Sequence, residues 1–514
     1  MTNRLFLALA CVLLAVRLPS LVQPMGADQG LYAYVGERIL DGGLPYRDAW
    51  DQKPPAIHLT YAVLRAVWPH QSSVPAADLL MAAIAAVLLW RLGTLLAGPR
   101  VGQSAALLFL LLSNPSFARL GGVSVRAQCE TFIAVAITGA FLVLADSRRR
   151  PAIWKLGAAG MLIGVAFTFK YNTAVYAGAA MFALFLWKRL TLAALVALTA
   201  GFVIPAAVFA AWFAGGHSLG ALYDATIAYN LRYSGETYAG PLQAAIYLVT
   251  FPVRHARVDA LWLIGCGGCA ALLAGAVRAR EPLVVVAWVA AACLSIAING
   301  SRDLPQYFVQ AAPPLALAGA WAGSVLWNRR ILVNAIGALI VVIAVWRVND
   351  FPKLVENTVH DARYVAGRTS LDEHLGRYGD RTTRKYSALA VHELGAFLNA
   401  HSGPSDRVFV FGFSCGAYVE ADRVSASRFF WSRPVIAGFN HGVPGYGMSG
   451  LADDLRQNAP SVVALQQNDW FPDVDDSAHF FMANVTLAEW LRESYERVDA
   501  VPGFDVWVKR EAAQ

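Results

Sequence analysis

The chain has 514 residues, of which 57% are hydrophobic and only 15% are charged, and its formal net charge is +7. This composition is too apolar for an ordinary soluble protein and is typical of a polytopic membrane protein. The Lys and Arg residues lie in short clusters between apolar runs, as in cytoplasmic loops that orient a membrane protein, which argues against nucleic acid as a partner.

The chain opens with "MTNRLFLALACVLLAVRLPSLV", a basic start followed by an apolar stretch. A secretory signal peptide has the same pattern but ends in a small-x-small cleavage site, which this segment lacks. The sequence therefore predicts a retained first membrane helix over residues 5–22.

A polar loop, residues 24–75, follows this helix. Within it, residues 54–68 form an apolar stretch of about 15 residues, short of the roughly 20 that a membrane helix needs. His58 and Arg65 interrupt the stretch. We expect it to lie in the membrane interface rather than to cross.

Ten further apolar runs complete a prediction of about eleven spans. They are residues 76–97, 101–117, 124–145, 152–169, 172–187, 190–212, 258–277, 282–299, 307–327 and 331–349. Basic clusters fall at every second connection, and Lys and Arg are retained in the cytoplasm. The N-terminus is thus predicted to be cytoplasmic, and the tail after the odd number of spans extracytoplasmic.

On this topology the remaining polar residues share the outer face of the membrane, where ionisable groups indicate a functional site. They are Asp28, Asp51, Lys53, Arg126, Glu130, Lys170, Arg302, Asp303 and Tyr307. A convergent polar cavity that faces outwards is the simplest account.

Structural roles are alternatives for several of these residues. Arg126 and Glu130 are four residues apart, which suits an ion pair on one helix. Lys170 ends a span and can extend towards the lipid headgroups. Arg302 and Asp303 can form a local surface pair.

Motifs limit the chemistry further. The sequence has no phosphate-binding Walker loop, no dinucleotide fingerprint, no HExxH and no Ser-His-Asp signature, which disfavours nucleotide-driven transport and several hydrolase mechanisms. The chemistry that remains needs two kinds of group: a carboxylate that takes a proton from a hydroxyl, and cations that hold a phosphate leaving group. Outside the membrane, the available activated sugar is one attached to a polyprenyl phosphate.

Three segments, "ADQGLYAYVGERILDGGLPYRDAWDQKPP", "AFTFKYN" and "RDLPQYFVQAAPPLAL", resemble the membrane glycosyltransferases of the GT-C fold. The most similar branch contains the protein O-mannosyltransferases and the lipid A aminoarabinose transferases. The resemblance covers about residues 1–350. In the tail, "DRVFVFGFSCGAYVEADRVSASRFFWSR" is similar to a segment that follows the spans in many bacterial members.

The resemblance implies an inverting transfer of sugar from a polyprenyl-phosphate donor. Asp28 matches the catalytic base of the first outer loop, Lys53 the residue that holds the donor phosphate, and Tyr307 a donor-side tyrosine. We add Arg302 as a second cation for the phosphate. From the residues alone, Glu130 and Asp51 remain alternatives for the base; the other candidates for the cavity are Arg126 and Lys170.

The sequence departs from the family pattern at two positions. Gln29 and Gln52 stand where many relatives have an acidic residue. The second change leaves the base intact but puts in doubt any metal site taken over from relatives, so no cofactor is expected and dependence on a divalent metal stays open.

The tail is more polar than the rest of the chain. Residues 407–413 and 461–467 are predicted to be buried strands, and 390–400 and 486–498 amphipathic helices. Alternating strands and helices suggest a small α/β domain over residues 350–514, with 350–380 as a charged helical connector. Residues 1–349 then form the membrane domain.

The leading prediction is a mainly α-helical glycosyltransferase of a bacterial inner membrane, surrounded by membrane lipids. Its partners are a polyprenyl-phosphate-linked sugar and a lipid, glycan or protein acceptor. The alternatives are a transporter or flippase for a lipid-linked substrate, although transporters tend to show internal repeats that this chain lacks, and a catalytically inactive assembly subunit.

Overall fold

The computed structural model describes residues 2–148, 152–235, 237–275, 280–300, 303–327, 331–380, 386–469 and 476–510. Arg302, predicted as a second phosphate cation, lies outside these residues. The described part is a helical bundle followed by a small domain with one mixed sheet. This agrees with the predicted fold class.

The first part of the bundle contains helices α1 (Asn3–Ala15), α2 (Ala27–Leu40), α3 (Ala56–Val67), α4 (Ser73–Ala97), α5 (Pro99–Leu112), α6 (Cys129–Ser147), α7 (Ile153–Phe169) and α8 (Val175–Leu186). The second part contains α9 (Leu192–Gly215), α10 (Leu219–Tyr223), α11 (Tyr229–Gly235), α12 (Pro241–His255), α13 (Ala260–Gly275), α14 (Glu281–Ile298), α15 (Ala312–Trp327) and α16 (Ile331–Arg347). Short 3₁₀ helices cover Leu18–Val22, Pro115–Phe117, Arg119–Gly122, Tyr171–Ala174 and Pro305–Ala311, and Asp224–Ala228 is a π-helical turn.

Each predicted span coincides with one of these apolar helices. Among the described residues, five helices are long and apolar enough to cross a membrane, or up to seven if each of two bent helix pairs is one span. The other apolar helices are shorter. At the start of one of them, α5, the turn residue Gly98 has a φ of +97° and ends α4, and Pro99 is the first residue of α5. Glycine tolerates this φ and proline suits a first helical turn.

The outer loop contains α2 and α3. The predicted interfacial stretch is a helix, α3, whose buried side includes Ile57 and Tyr61, whereas Val63 and Val67 are exposed. This helix packs closely on α2: a Cβ added at Gly36 would lie 2.7 Å from the backbone nitrogen of Ala62. The loop is therefore an ordered helix pair.

The tail contains α17 (Phe351–Val365), α18 (Leu371–Gly376), α19 (Ala388–Ala400), β1 (Arg407–Phe411), α20 (Gly416–Ala421), β2 (Val424–Ser425), α21 (Arg433–Ile436), α22 (Gly447–Asn458), β3 (Val462–Gln466), α23 (Ser477–Met482), α24 (Val485–Ser494), β4 (Tyr495–Val498) and β5 (Phe504–Lys509). The strand order is β2-β1-β3-β5-β4. Strand β1 is parallel to β2 and β3, whereas β5 is antiparallel to β3 and β4.

Both predicted strands, the helix at 390–400 and the helical connector are confirmed. The helix predicted over 486–498 is too long, because it ends at Ser494 and Tyr495–Val498 forms an edge strand. Tyr495 is buried and its hydroxyl donates to the Pro460 carbonyl at 2.8 Å. Pairing with β5 thus outweighs the local helical pattern.

Candidate active site

Asp28 lies in the first turn of α2, where the helix dipole favours a carboxylate. Its Oδ2 accepts hydrogen bonds from the amide nitrogens of Gln128 (3.2 Å) and Gln306 (3.5 Å). The residue is partly exposed. Removal of water by the surrounding protein raises the pKa of Asp28, and this outweighs the lowering by the nearby ammonium group of Lys53. Asp28 is thus a more basic carboxylate than a solvated aspartate.

Lys53 lies in the loop between α2 and α3. Its backbone carbonyl accepts a hydrogen bond from the Tyr46 hydroxyl at 2.7 Å, and the neighbouring Gln52 carbonyl accepts from Asn230 at 2.6 Å. Burial alone would lower the pKa of Lys53, but its neighbours, first Tyr307 and then Asp28, raise it above the usual value. Lys53 is therefore a cation beside Asp28, fixed by its backbone.

Tyr307, Lys170 and Glu130 form the buried side of the site. Lys170 Nζ lies 2.5 Å from Glu130 Oε1 and 4.3 Å from the centre of the Tyr307 ring. All three side chains are buried, with Glu130 at 0% exposure. The ammonium of Lys170 thus pairs with an anion and a ring face inside the protein, and does not extend to the headgroups.

Asp51, the other candidate for the base, points into the protein. It is only 1% exposed, and its Oδ2 lies 3.3 Å from Nε2 of the buried His58. Its Oδ1 accepts from the backbone N–H of Gln52 at 2.7 Å. Asp51 is close enough to influence the pKa of Asp28, but the protein covers it.

Arg126 does not pair with Glu130, and this alternative is wrong. Residues before Cys129 leave the helix, with Ala127 at a φ of +46°, so Arg126 and Glu130 are not one helical turn apart. Arg126 lies 3.5 Å from Asp78 and donates to the side-chain oxygen of Gln23 at 2.7 Å. Its partners lie in a separate buried network.

Asp303 has a partner outside this group as well. Its carboxylate accepts a hydrogen bond from the hydroxyl of Tyr247, on α12, at 2.6 Å. The structure thus brings together Asp28, Lys53, Tyr307, Lys170, Glu130 and Asp51, and gives Arg126 and Asp303 other partners.

The sequence matches no protein-family model and no curated protein. Solved structures do match the whole chain. The crystal structure of ArnT, the lipid A aminoarabinose transferase, from Cupriavidus metallidurans, bound to undecaprenyl phosphate, has a TM-score of 0.59 at 16% sequence identity; the match covers 99% of this chain and 98% of ArnT. Its apo structure gives a TM-score of 0.57 at 16% identity, with 98% and 97% covered.

The archaeal oligosaccharyltransferase AglB from Archaeoglobus fulgidus, in complex with an inhibitory peptide and a dolichol-phosphate, has a TM-score of 0.51 at 13% identity and matches over 90% of this chain and 69% of AglB. ArnT and AglB both have the GT-C fold. This chain has the GT-C fold. The predicted resemblance is confirmed at the level of the fold, and the chain is an integral membrane protein of that architecture.

Sequence reasoning missed the two amides that hold Asp28 within this GT-C fold. Gln306 precedes Tyr307 in the "PQYF" motif, so a signal was present in a segment already singled out. Gln128 precedes α6 by one residue and had no motif. Its side-chain oxygen also accepts from Tyr32 at 3.3 Å, which fixes the amide with its N–H group towards Asp28.

Gln29, where many relatives have an acidic residue, is a structural donor here. Its amide nitrogen donates to the Val123 carbonyl (2.6 Å) and the Arg126 carbonyl (2.8 Å), and the side chain is fully buried. An ionised carboxylate has no hydrogen to donate and would face two carbonyl oxygens. The amide therefore suits this position better than an acidic side chain would.

The tail domain covers the loop that contains Asp28 and Lys53. The backbone N–H of Trp50 donates to the Arg428 carbonyl at 2.8 Å, and the indole N–H of Trp431 donates to the Trp50 carbonyl at 3.0 Å. Helix α20 contacts α2 at glycine, since a Cβ added to Gly30 would lie 2.8 Å from the nitrogen of Gly416. The tail thus contacts α2, which contains Asp28, and the loop after it, which contains Lys53.

Proposed function

We propose that this chain is an inverting membrane glycosyltransferase that moves a sugar from a polyprenyl-phosphate donor to an acceptor hydroxyl at the outer face of the membrane. Asp28 is the general base, and Lys53 with Tyr307 binds the donor phosphate. The ArnT and AglB structures contain undecaprenyl phosphate and dolichol-phosphate, which supports a donor of the same class.

The observation that carries this proposal is the difference in access among three carboxylates. The protein covers both Asp51 and Glu130, and Glu130 is in addition paired with Lys170. Asp28 is partly exposed, stands beside a protonated lysine and has a raised pKa. A general base must reach the proton that it removes, and a raised pKa increases its proton affinity. Both properties favour Asp28.

The reaction needs only one carboxylate. Asp28 takes the proton of the acceptor hydroxyl while that oxygen forms a bond to the anomeric carbon. The bond from the anomeric carbon to the phosphate oxygen breaks, and its electron pair stays on the phosphate. Lys53 stabilises this negative charge in a partly desolvated site. The single displacement inverts the anomeric configuration.

The proposed location is a bacterial inner membrane, with a cytoplasmic N-terminus and residues 350–514 outside. The acceptor is a lipid, a glycan or a protein. Cysteine labelling tests the orientation: Arg47→Cys is expected to react with an impermeant reagent from outside and Lys188→Cys only after permeabilisation, both in a Cys11→Ser background. Both positions are exposed. The opposite pattern would reverse the topology.

Activity is tested with purified full-length protein and radiolabelled undecaprenyl-phosphate sugars. Asp28→Asn is expected to lose about 10²- to 10⁴-fold in rate, the usual contribution of a general base. Lys53→Ala is expected to lose about 10²-fold, as for one electrostatic contact to a developing charge. Asp41→Asn is the matched control, because it neutralises an exposed aspartate at the other end of α2.

Each outcome decides a part of the proposal. Transfer by Asp28→Asn at the wild-type rate would remove Asp28 as the base. Movement of intact lipid-linked sugar from one leaflet of a vesicle membrane to the other, with no sugar transferred to an acceptor, would favour the flippase alternative. Retention of the donor's anomeric configuration in the product would refute single displacement.

A further inference from the structure

Three buried side chains in the connector between bundle and sheet present possible metal ligands. His360 and Asp361 lie on α17 and His374 lies on α18. One ligand atom from each lies within 4.8 Å of the others, and none of the three residues is more than 8% exposed. Among the described residues this is the single group of three or more such ligands.

The hydrogen bonds of His374 determine which nitrogen is free to bind. Its Nε2 lies 3.0 Å from the carbonyl oxygen of Val22. A carbonyl only accepts, so Nε2 carries the proton and Nδ1 presents its lone pair to the cluster. Metal-bound histidines almost always donate their second N–H to a carbonyl or carboxylate in this way.

Asp361 is held in the same manner. It accepts hydrogen bonds from the amide of Gln23 at 2.6 Å and from the hydroxyl of Tyr378 at 2.7 Å. Partners of this kind orient a carboxylate that binds a metal. The nearby guanidinium of Arg377 is bonded to Glu356 at 3.1 Å, which partly compensates its positive charge.

The spacing and the donor set suit Zn²⁺. Zn–N distances of about 2.0–2.1 Å in a tetrahedral site place two nitrogen ligands about 3.3 Å apart. His360 Nε2 and His374 Nδ1 are 3.2 Å apart. Two imidazoles and one carboxylate are typical zinc ligands, whereas Ca²⁺ and Mg²⁺ prefer oxygen alone. His360 also lines a cavity of about 520 Å³, which gives an ion and a water ligand a path.

We propose that His360, Asp361 and His374 bind a Zn²⁺ ion that joins α17 and α18 to residues 22 and 23, just before the helix of Asp28. The ion takes no part in the proposed chemistry, and the inference does not rest on the proposed function. Its role is structural: it fixes the connector against the start of the outer loop through Val22 and Gln23.

The test uses the full chain in detergent, stripped with EDTA and equilibrated with ZnSO₄, with bound zinc measured by elemental analysis after gel filtration. Wild type is expected to retain one zinc per chain and to unfold at a higher temperature with zinc than without. His374→Gln and Asp361→Asn are expected to retain none at the same free zinc. His401→Gln, which changes an exposed histidine of the same domain, is expected to behave as wild type.

A further variant guards against loss of folding in these replacements. Tyr378→Phe keeps all three ligands and removes one hydrogen bond to Asp361, and zinc affinity is expected to fall about 10- to 100-fold. Zinc retained equally by wild type and His374→Gln would place the ion on other histidines. Absence of zinc from wild type, or an unchanged zinc affinity in Tyr378→Phe, would also overturn the site. The two histidines would then be joined only by the hydrogen bond between His360 and His374.

Discussion

Gly30→Ala tests the contact that positions Asp28. A Cβ at Gly30 would lie 2.8 Å from the nitrogen and 2.9 Å from the Cα of Gly416, both backbone atoms that no rotamer change can move. Ordinary contact begins near 3.4 Å, so α2 and α20 must separate by about 0.6 Å. Overpacking of this kind costs about 1–3 kcal/mol.

The same displacement moves Asp28, two residues away on the same helix. A misplacement of 1 Å in an active site can cost about 10²-fold in rate, so a loss of about 10-fold in sugar transfer is expected. Thermal unfolding and transfer rate are measured together on the purified protein. The rate is taken well below the unfolding temperature, so that it reports geometry and not loss of folded enzyme.

Two glycines provide matched controls. Gly416→Ala, on the other side of the contact, would meet a methyl group of Val391 at 3.0 Å and Gly30 at 4.0 Å, so a side-chain shift relieves it and a smaller effect is expected. Gly178→Ala has nothing within 4 Å, and alanine in a helix is expected to be neutral or slightly stabilising. A Gly30→Ala protein with the stability and rate of Gly178→Ala would refute the close contact of tail and loop.

Two further predictions concern charge. Burial raises the pKa of Asp28 and Lys53 lowers it. The midpoint of the loss of kcat/KM at acid pH is therefore expected above the ordinary aspartate pKa of about 3.9, and at still higher pH in Lys53→Met. A midpoint that moves to lower pH in Lys53→Met would contradict the interaction of Lys53 with Asp28. Glu130→Gln leaves the buried Lys170 unpaired and is expected to destabilise by about 3–5 kcal/mol. As the control, Lys353→Met breaks an exposed ion pair and is expected to lower the free energy of unfolding by at most about 1 kcal/mol. Equal unfolding temperatures for the two variants would contradict the burial of the Glu130–Lys170 pair.

Local sequence was sufficient to locate the membrane helices. Apolar runs of helical length placed a helix at every predicted span, because hydropathy acts on each segment by itself. The motifs around Asp28 and Lys53 indicated the GT-C fold through residues that lie near each other in the chain. The strand at Tyr495–Val498 shows the limit of such local patterns, since its partner strand decided its conformation.

Tertiary packing alone decided which carboxylate stays partly exposed and which partner each charge takes. Arg126 pairs with Asp78, 48 positions earlier, and Glu130 with Lys170, 40 positions later. The Tyr34 hydroxyl accepts from the Ser425 N–H across 391 residues, so the helix of Asp28 rests on a domain that the local pattern does not reach. Periodicity and hydropathy report on neighbours within a few helical turns, whereas burial and charge pairing depend on segments that only folding brings together.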